Sequence, residues 1–169
     1  MTGKKQVFKG KLLKVFVRKE KLPNGYIACL EIVKHPGAAL IIPLLTFNKV
    51  VLLKQYRPVI KSYIYELPAG TLNKDETPVK CARREIIEET GYSAKKISKL
   101  GVIFPVPGYS TEKIFIFKAE GLSRVKIDIQ EDEIIYPFIA TKTAVRKLFK
   151  KGKIIDAKTI SAFAMCGWL

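Results

Sequence analysis

The first two thirds of the chain are dominated by apolar and polar residues that alternate with a strand-like period. Runs of strand length, either alternating or wholly apolar, recur between turn-forming residues. Asn24 and Gly25 favour a tight hairpin turn between the first two runs. The pattern predicts strands at residues 7–18, 26–33, 38–45, 50–57, 63–67, 97–104, 113–119 and 134–139.

A helical pattern interrupts these strands in the middle of the chain. Thr77 is a suitable N-cap, and the missing N–H of Pro78 costs nothing at the first helical position. Gly91 is a suitable residue for the position directly after the helix. The helix is therefore predicted between Thr77 and Gly91. The residues predicted for its apolar face are Val79, Ala82, Ile86 and Cys81.

Two more helices are predicted at 142–151 and 157–166, with Asp156 as the cap of the second. Strands and helices together indicate an α+β fold, in which a mixed β-sheet carries one central helix and a helical C-terminal part. A length of 169 residues fits a single domain, 1–169, with a substantial core.

Charge and composition narrow the possible partners. Hydrophobic residues make up 48% of the chain, which excludes a mainly disordered protein. A net charge of +16 favours a polyanionic partner, either a phosphorylated small molecule or nucleic acid. The alternative is a solvated, lysine-rich surface without a dedicated partner. Composition leaves both interpretations open.

The counts of histidine and cysteine exclude several kinds of chemistry. His35 is the single histidine, so zinc hydrolysis and a histidine base are not expected. The three cysteines lack metal-like spacing, which is typical of a reducing cytoplasm. No apolar run approaches the roughly 18 residues that span a bilayer, so no membrane association is expected. Carboxylates remain as the candidate catalytic groups.

Acidic residues are concentrated in one segment of this basic chain, at Asp75, Glu76, Glu85, Glu88 and Glu89. The last three share one helix face, where each like-charge pair costs about 0.2–0.5 kcal/mol. One interpretation is a solvated acidic face, partly neutralised by neighbouring arginines. The other is a site for a hard divalent cation, Mg²⁺ or Mn²⁺, which prefers carboxylate oxygens.

The spacing within this segment carries a family resemblance. From Gly70 the chain reads Gly, five residues, Glu76, seven residues, and then Arg84 to Tyr92 as REIIEETGY. This resembles the Nudix hydrolase signature, Gly-x5-Glu-x7-Arg-Glu-U-x-Glu-Glu-x-Gly-U, with U a bulky apolar residue. Only Tyr92 departs, as an aromatic residue where an aliphatic one is usual. The resemblance implies a loop–helix–loop that holds divalent cations, in a mixed β-sheet sandwiched by helices.

The resemblance also assigns roles to residues of the signature. Arg84 would orient a glutamate by ion pairing, and Gly70 and Gly91 would permit turns. Glu76 is expected to be structural, with a catalytic role as the alternative. Mg²⁺ is the implied cofactor, with Mn²⁺ as a possible substitute. The implied metal ligands are the carbonyl of Ala69 and the carboxylates of Glu85, Glu88 and Glu89.

Further segments are similar to the ADP-ribose pyrophosphatase branch of that family: HPGAALIIP, VVLLKQYRP, YELPAG and PVPGYSTEKIFIFKAEGL. In that branch Pro107 marks the substrate class. Arg57 and Glu66 would bind substrate or build a dimer, or would instead be a surface arginine and a strand-end ion pair. The implied substrate-binding residues are Arg57, Glu66, Gly70, Pro107 and Gly108.

Three loop carboxylates complete the set that the resemblance implies. Glu112 would contact a metal ion or its water, or would be a solvated loop acid. Glu133 is the first candidate for the general base and Glu131 the second. Leu30 departs from the branch, because many relatives carry a substrate-contacting arginine at that place.

The resemblance implies Mg²⁺-dependent hydrolysis of ADP-ribose to AMP and ribose 5-phosphate. One alternative is another nucleoside diphosphate sugar, such as GDP-mannose, and Leu30 favours testing it. A second alternative is a non-catalytic nucleotide- or RNA-binding module, although nucleic acid is not the expected partner. An antiparallel pair of N-terminal strands, within about residues 1–35, is expected to contribute to a homodimer.

Overall fold

The computed structural model describes residues 4–126 and 133–169. The helices are α1 (Pro78–Thr90), α2 (Lys142–Lys150) and α3 (Ala157–Met165), and a short 3₁₀ turn covers Pro58–Ile60. The strands are β1 (Lys4–Lys9), β2 (Lys14–Lys21), β3 (Ile27–Lys34), β4 (Ala38–Thr46), β5 (Lys49–Arg57), β6 (Ser62–Glu66), β7 (Ala69–Thr71), β8 (Tyr92–Ile103), β9 (Ile114–Arg124) and β10 (Ile135–Thr141).

Strand β4 is the centre of the larger sheet, whose order is β10-β5-β4-β9-β8. It runs parallel to β9 on one side and antiparallel to β7 and then β5 on the other. Strand β6 extends this arrangement by pairing with β5. The β7 pairing matters for the site, because it places Ala69 and Gly70 beside the start of β4.

Both faces of β4 are covered, which explains its continuous apolar sequence. Ala39 and Ile41 pack in one cluster with Cys81, Ala82 and Ile86 of α1. The alternate residues of β4 pack in a second cluster with residues of α2 and α3, among them Leu40, Ile42, Val145, Ala162 and Phe163. The predicted mixed sheet with helices on both sides is confirmed.

Helix α1 begins and ends where the sequence predicted. Thr77 is the extended N-cap, although its side chain makes no capping hydrogen bond, and Pro78 is the first helical residue. Gly91 has a φ of 69°, and its N–H donates to the carbonyl of Ile87 at 2.9 Å. The placement of Val79 on the buried face is wrong, because its side chain is 39% exposed.

The N-terminal part forms a three-stranded antiparallel sheet, β1-β2-β3, rather than a pair of strands. The predicted single strand at 7–18 is wrong. The chain turns between Gly10 and Leu13, where the N–H of Gly10 donates to the carbonyl of Leu13 at 2.8 Å. Strand β3 meets the rest of the molecule where the N–H of Val33 donates to the carbonyl of Tyr109 at 2.8 Å.

Other predicted strands differ mainly at their ends. Strand β8 begins at Tyr92 rather than at residue 97, since it continues directly from the end of α1. Strand β9 extends to Arg124 in partnership with it. Strand β7 was not predicted, because three residues carry no periodic signal.

No helix within residues 4–126 and 133–169 is long and apolar enough to cross a membrane. The three cysteines are free thiols.

Candidate active site

Gly70 of β7 lies directly against the side chain of Glu85 on α1. A Cβ atom on Gly70 would stand 1.6 Å from Oε1 of Glu85 and 2.0 Å from its Cδ. Gly70 is paired with Ala39 in the sheet and does not have a positive φ. The expectation that it permits a turn is therefore wrong. Its missing side chain instead makes room for the carboxylate.

Burial dominates the electrostatics of Glu85. The residue is 7% exposed, and this desolvation raises the pKa of its carboxyl from 4.5 to about 7. The guanidinium of Arg84 opposes the shift, while the charges of Glu88 and Glu133 add to it. Glu85 is thus a buried acid whose negative charge is only partly compensated.

Glu89 lies one turn further along α1 and is still more enclosed, at 3% exposure. Its Oε2 accepts the N–H of Ala69 at 2.8 Å. Burial, and then the charge of Glu85, raise its pKa well above the ordinary value, while that hydrogen bond and the charge of Arg57 act in the opposite direction. The carbonyl of Ala69 as a metal ligand stays a prediction.

Arg84 engages three glutamates with its five donor positions. Its Nη1 donates to Oε1 of Glu85 at 2.6 Å and to Oε2 of Glu88 at 2.8 Å. Its Nε and Nη2 donate to the two oxygens of Glu76 at 3.1 and 3.2 Å. Nη2 also donates to the carbonyl of Thr71 at 3.3 Å. Arg84 therefore ties the loop after β7 to the acidic face of α1.

Glu76 organises the same loop from the other side. Its Oε2 accepts the N–H of Asn73 at 2.9 Å, and its own N–H donates to the carbonyl of Asn73 at 3.2 Å. Hydrogen bonding from Arg84 lowers the pKa of its carboxyl. Both oxygens of Glu76 are occupied by groups of the protein, which is the geometry of a structural residue.

Glu66 forms a second buried carboxylate centre near α1. Its side chain is fully buried, and Arg57 donates to both of its oxygens, at 2.6 Å from Nε and 2.7 Å from Nη2. Lys158 of α3 also contacts Oε2 and lies 3.0 Å from Oδ1 of Asp156. Burial raises the pKa of Glu66, but Arg57 and Lys158 outweigh it and lower the pKa overall.

Arg57 connects this pair to the α1 carboxylates, because its charge and that of Glu89 stabilise each other. Glu66 forms the strand-end ion pair that was one of the alternatives, and both of its oxygens are engaged by cations. A role of Glu66 or Arg57 in substrate binding or in a dimer stays a prediction.

Glu133 lies near enough to the α1 glutamates for its charge to raise the pKa of both Glu85 and Glu89. It is exposed, and it immediately precedes Ile134, whose carbonyl accepts the N–H of Tyr56 at 3.0 Å. This bond aligns the start of β10 with the end of β5. The second candidate base, Glu131, lies outside the described residues.

Pro107, Gly108 and Glu112 lie in the connection between β8 and β9. The first two are exposed. Oε1 of Glu112 lies 3.9 Å from Nδ1 of His35. That nitrogen accepts the N–H of Gly37 at 3.0 Å. The roles predicted for these three residues stay predictions.

The donor set on α1 can be tested for its fit to a metal ion. Within the described residues, no three His, Cys, Asp or Glu side chains stand in a ready-made ligand set. Arg84 takes one oxygen each of Glu85 and Glu88. However, Glu85 and Glu89 are buried acids that repel each other, and a cation between them would relieve that repulsion. Carboxylate oxygens are the ligands of hard divalent cations. The residues fit such an ion.

The NUDIX domain family model matches residues 34–162 of this chain. The chain belongs to the NUDIX domain family. The resemblance inferred from the Gly70–Tyr92 spacing is thereby confirmed.

Two curated relatives match this Nudix chain over nearly its whole length, and a third matches about two thirds of it. An ADP-ribose pyrophosphatase of Bacillus subtilis (strain 168) is 39% identical, over 95% of this chain and 88% of the relative. A methanol dehydrogenase activator of Bacillus methanolicus is 37% identical, over 93% and 86%. A GDP-mannose pyrophosphatase of Citrobacter koseri is 35% identical, over 66% and 62%. The predicted branch of the family is confirmed by the first of these.

A solved structure supports the fold. A crystal structure of an ADP compounds hydrolase has a TM-score of 0.83, covering 98% of this chain and 90% of that chain at 20% identity. At this identity the likeness concerns the Nudix fold alone.

Two parts of this Nudix site were missed by sequence reasoning. Lys158 of α3 and Asp156, the N-cap of that helix, complete the Glu66 centre. Both residues lie far from Glu66 in the sequence, so no local spacing links them to it. The close approach of Gly70 to Glu85 was also missed. The signal for it was Gly70 itself, which was interpreted as permitting a turn.

Proposed function

We propose that this protein hydrolyses ADP-ribose to AMP and ribose 5-phosphate in a Mg²⁺-dependent reaction. The observation that carries the proposal is the pair of buried, mutually repelling carboxylates, Glu85 and Glu89, beside β7. The substrate follows from the 39% identity to a relative named ADP-ribose pyrophosphatase. The structural neighbour named ADP compounds hydrolase agrees in fold.

Glu85 and Glu89, with Glu88 and the carbonyl of Ala69, would hold the Mg²⁺. A bound divalent cation would supply charge neutralisation of the diphosphate and a bound water of lowered pKa. Arg84 fixes Glu85 and Glu88 on one face, so that their free oxygens are oriented before substrate arrives. Preorganisation of this kind avoids reorganisation during the reaction.

Glu133 is proposed to accept the proton of the attacking water, with Glu131 as the second candidate. The support for Glu133 is that its charge acts on both proposed metal ligands, Glu85 and Glu89, together with its exposure. Arg57 is proposed to contact the diphosphate. Glu66 presents that guanidinium with two hydrogen bonds, which leaves its second terminal nitrogen, Nη1, for an anion.

We propose that β1–β3 pair with a second copy of the chain in a homodimer. The support for this proposal is that this sheet and its turns leave large apolar side chains exposed, among them Phe8 at 56%, Tyr26 at 67% and Ile27 at 64%. Light scattering of the protein during size-exclusion chromatography should give twice the chain mass of 19.1 kDa, and a monomer at all concentrations would contradict the proposed dimer.

We also propose a cytoplasmic location, which the three free cysteines support.

The test of the function is incubation of the protein with ADP-ribose and Mg²⁺, followed by separation of the products. AMP and ribose 5-phosphate should appear for the wild type and not for Glu89→Gln. Absence of turnover by the wild type between about pH 6 and pH 9, the range in which catalytic groups are usually tuned, would refute the substrate.

The second candidate substrate is another nucleoside diphosphate sugar. Leu30, a half-buried residue of β3, stands where relatives of the branch carry an arginine, and some relatives are named GDP-mannose pyrophosphatase. A panel that includes GDP-mannose decides between the two. A higher kcat/KM for GDP-mannose than for ADP-ribose would favour the second candidate.

A further inference from the structure

A lysine-lined groove lies between the N-terminal sheet and the loop that follows β7. Its volume is about 610 Å³, and its walls include Lys11, Lys14, Lys34 and Lys74. None of its lining residues is acidic, and none is a candidate metal ligand. The groove is therefore distinct from the carboxylate site on α1.

The lysines of the groove are brought together at a cost. Lys14 and Lys34 are direct partners in the β2–β3 register, where like charges opposite each other are destabilising. All four lysines are exposed. In the part of the chain that the structure describes, the ion pairs found involve other cations. Strand pairing thus concentrates positive charge here, and no acid of the groove wall compensates it.

Apolar side chains stand beside these charges. Leu12, which is 50% exposed, and Leu72 contribute to the same walls. A combination of several ammonium groups with an apolar wall suits an anion that carries more than one phosphate and is attached to an organic group. Concave sites with a few converging polar groups and apolar walls are the usual form of small-molecule sites.

The groove shares a loop with the candidate active site. Thr71 and Asn73 line the groove. The carbonyl of Thr71 accepts from Arg84 at 3.3 Å, and the N–H of Asn73 donates to Glu76 at 2.9 Å. A ligand in the groove would contact the same loop residues that hold Arg84 against the acidic face of α1.

We propose that this groove binds a chain of linked phosphates, with the ammonium groups of Lys11, Lys14, Lys34 and Lys74 as its partners. The phosphate chain can come from a nucleoside triphosphate or from inorganic polyphosphate. The proposal is independent of the substrate of the α1 site. It requires no divalent cation, because the lysines supply the positive charge.

The test is calorimetric titration of the metal-free protein with tripolyphosphate, ATP and AMP at low ionic strength. Without divalent ions the α1 carboxylates have no cation through which they could bind phosphate, so binding at that site does not contribute to the heat. Tripolyphosphate should bind with one site per chain. If ATP binds more tightly than tripolyphosphate, the ligand is a nucleoside triphosphate, and its nucleoside contacts Leu12 and Leu72. If the two affinities are equal, the ligand is inorganic polyphosphate. Both results support the proposal, and AMP should bind much more weakly than either.

The decisive variant is Lys14→Gln combined with Lys34→Gln. Its affinity for tripolyphosphate should fall by about tenfold or more, the size expected when charge-assisted hydrogen bonds are lost. The matched control is Lys150→Gln with Lys151→Gln, which removes the same charge from exposed residues at the end of α2. It should change the affinity by less than about twofold, because distant exposed charges are screened. Thermal unfolding of both variants checks that the fold is kept.

Two results would overturn the proposal. Equal losses in the two double variants would mean that the anion responds to the net charge of +16 and not to a site. Absence of tripolyphosphate binding to the wild type would also refute it. Because ADP-ribose turnover is assayed separately with Mg²⁺, failure of the substrate proposal leaves this result interpretable.

Discussion

Two centres of buried carboxylate lie close together in this protein, and they are compensated in opposite ways. Glu66 is fully buried, yet Arg57 and Lys158 hold its pKa below the ordinary value. Glu85 and Glu89 are also buried, yet their pKa values are raised. A buried charge is tolerated when it is paired, and otherwise it shifts its pKa or binds an ion.

The difference separates a centre that is compensated within the chain from the candidate metal site. The Glu66 centre is complete within the chain and fixes α3 to β6. The α1 centre is incomplete, because Arg84 compensates Glu85 and Glu88 but no described contact of Arg84 reaches Glu89. An acidic centre that the protein leaves undercompensated is suited to a cation.

The largest expected effect is the loss of activity in Glu89→Gln. Removal of this charge should lower kcat/KM for ADP-ribose by about 10²- to 10³-fold or more, the range for loss of one charge-stabilising group at a reaction centre. Thermal unfolding of the metal-free variant should show equal or greater stability, because a repulsion with Glu85 is removed. Glu31→Gln, an exposed change on β3, is the control and should retain activity. If the Glu89→Gln variant unfolds instead, Glu89 is needed for the fold, as Glu66 is, and the prediction is contradicted.

Gly70→Ala should damage the α1 centre without changing any charge. The new Cβ would stand 1.6 Å from Oε1 of Glu85, so the carboxylate must move. We expect a loss of about 1–3 kcal/mol in unfolding free energy, typical of overpacking, together with a fall in kcat. Gly108→Ala is the matched control for stability, since no atom lies within 4 Å of its Cβ position. Wild-type stability in Gly70→Ala would contradict the close approach.

Lys158→Met should destabilise the protein while leaving the α1 carboxylates in place. It removes one of the two cations on fully buried Glu66 and costs about 1.5–3 kcal/mol in urea unfolding, the value of hydrogen bonds to charged groups. Lys153→Met, at an exposed lysine nearby in sequence, should change stability by less than about 0.5 kcal/mol. Equal effects of the two changes would show that Glu66 needs only Arg57.

The two centres should also respond oppositely to pH in the metal-free protein. The pKa of Glu85 is raised in the folded state from 4.5 to about 7, so the folded state binds the extra proton and stability should fall as pH rises through that interval. The pKa of Glu66 is lowered, so its contribution is present above 4.5 and is lost as pH falls below that value. Urea unfolding from about pH 3 to pH 8 measures both slopes. In Glu85→Gln the decrease between about pH 4.5 and pH 7 should be smaller, and an unchanged decrease would rule out this assignment.

Much of the fold could be predicted from local pattern. Strand β4 was predictable because burial of both of its faces gives it a continuous apolar sequence. Helix α1 was predictable because proline and glycine mark its ends. The division of residues 7–18 was not predicted, since Leu12 and Leu13 imitate a continuing strand but are half exposed at a turn. Val79 was misplaced because the helical period alone does not show how wide the buried face is.

The candidate site was predictable where its residues share one helix, and not where they meet through the fold. The spacing of Glu85, Glu88 and Glu89 predicted the acidic face directly. The contact of Lys158 with Glu66 depends on how α3 packs against β6, and no local sequence pattern carries that information. Long-range contacts of single charged residues are therefore the part of the site that only the structure reveals.

The most direct test of the central claim, that the acidic face of α1 holds a divalent cation, is calorimetric titration of the metal-free protein with Mn²⁺ and with Mg²⁺. The wild type should bind the ions, and Glu89→Gln and Glu85→Gln should each bind them much more weakly, while Glu31→Gln should match the wild type. Equal binding by all four proteins, or no binding by the wild type, would contradict the claim.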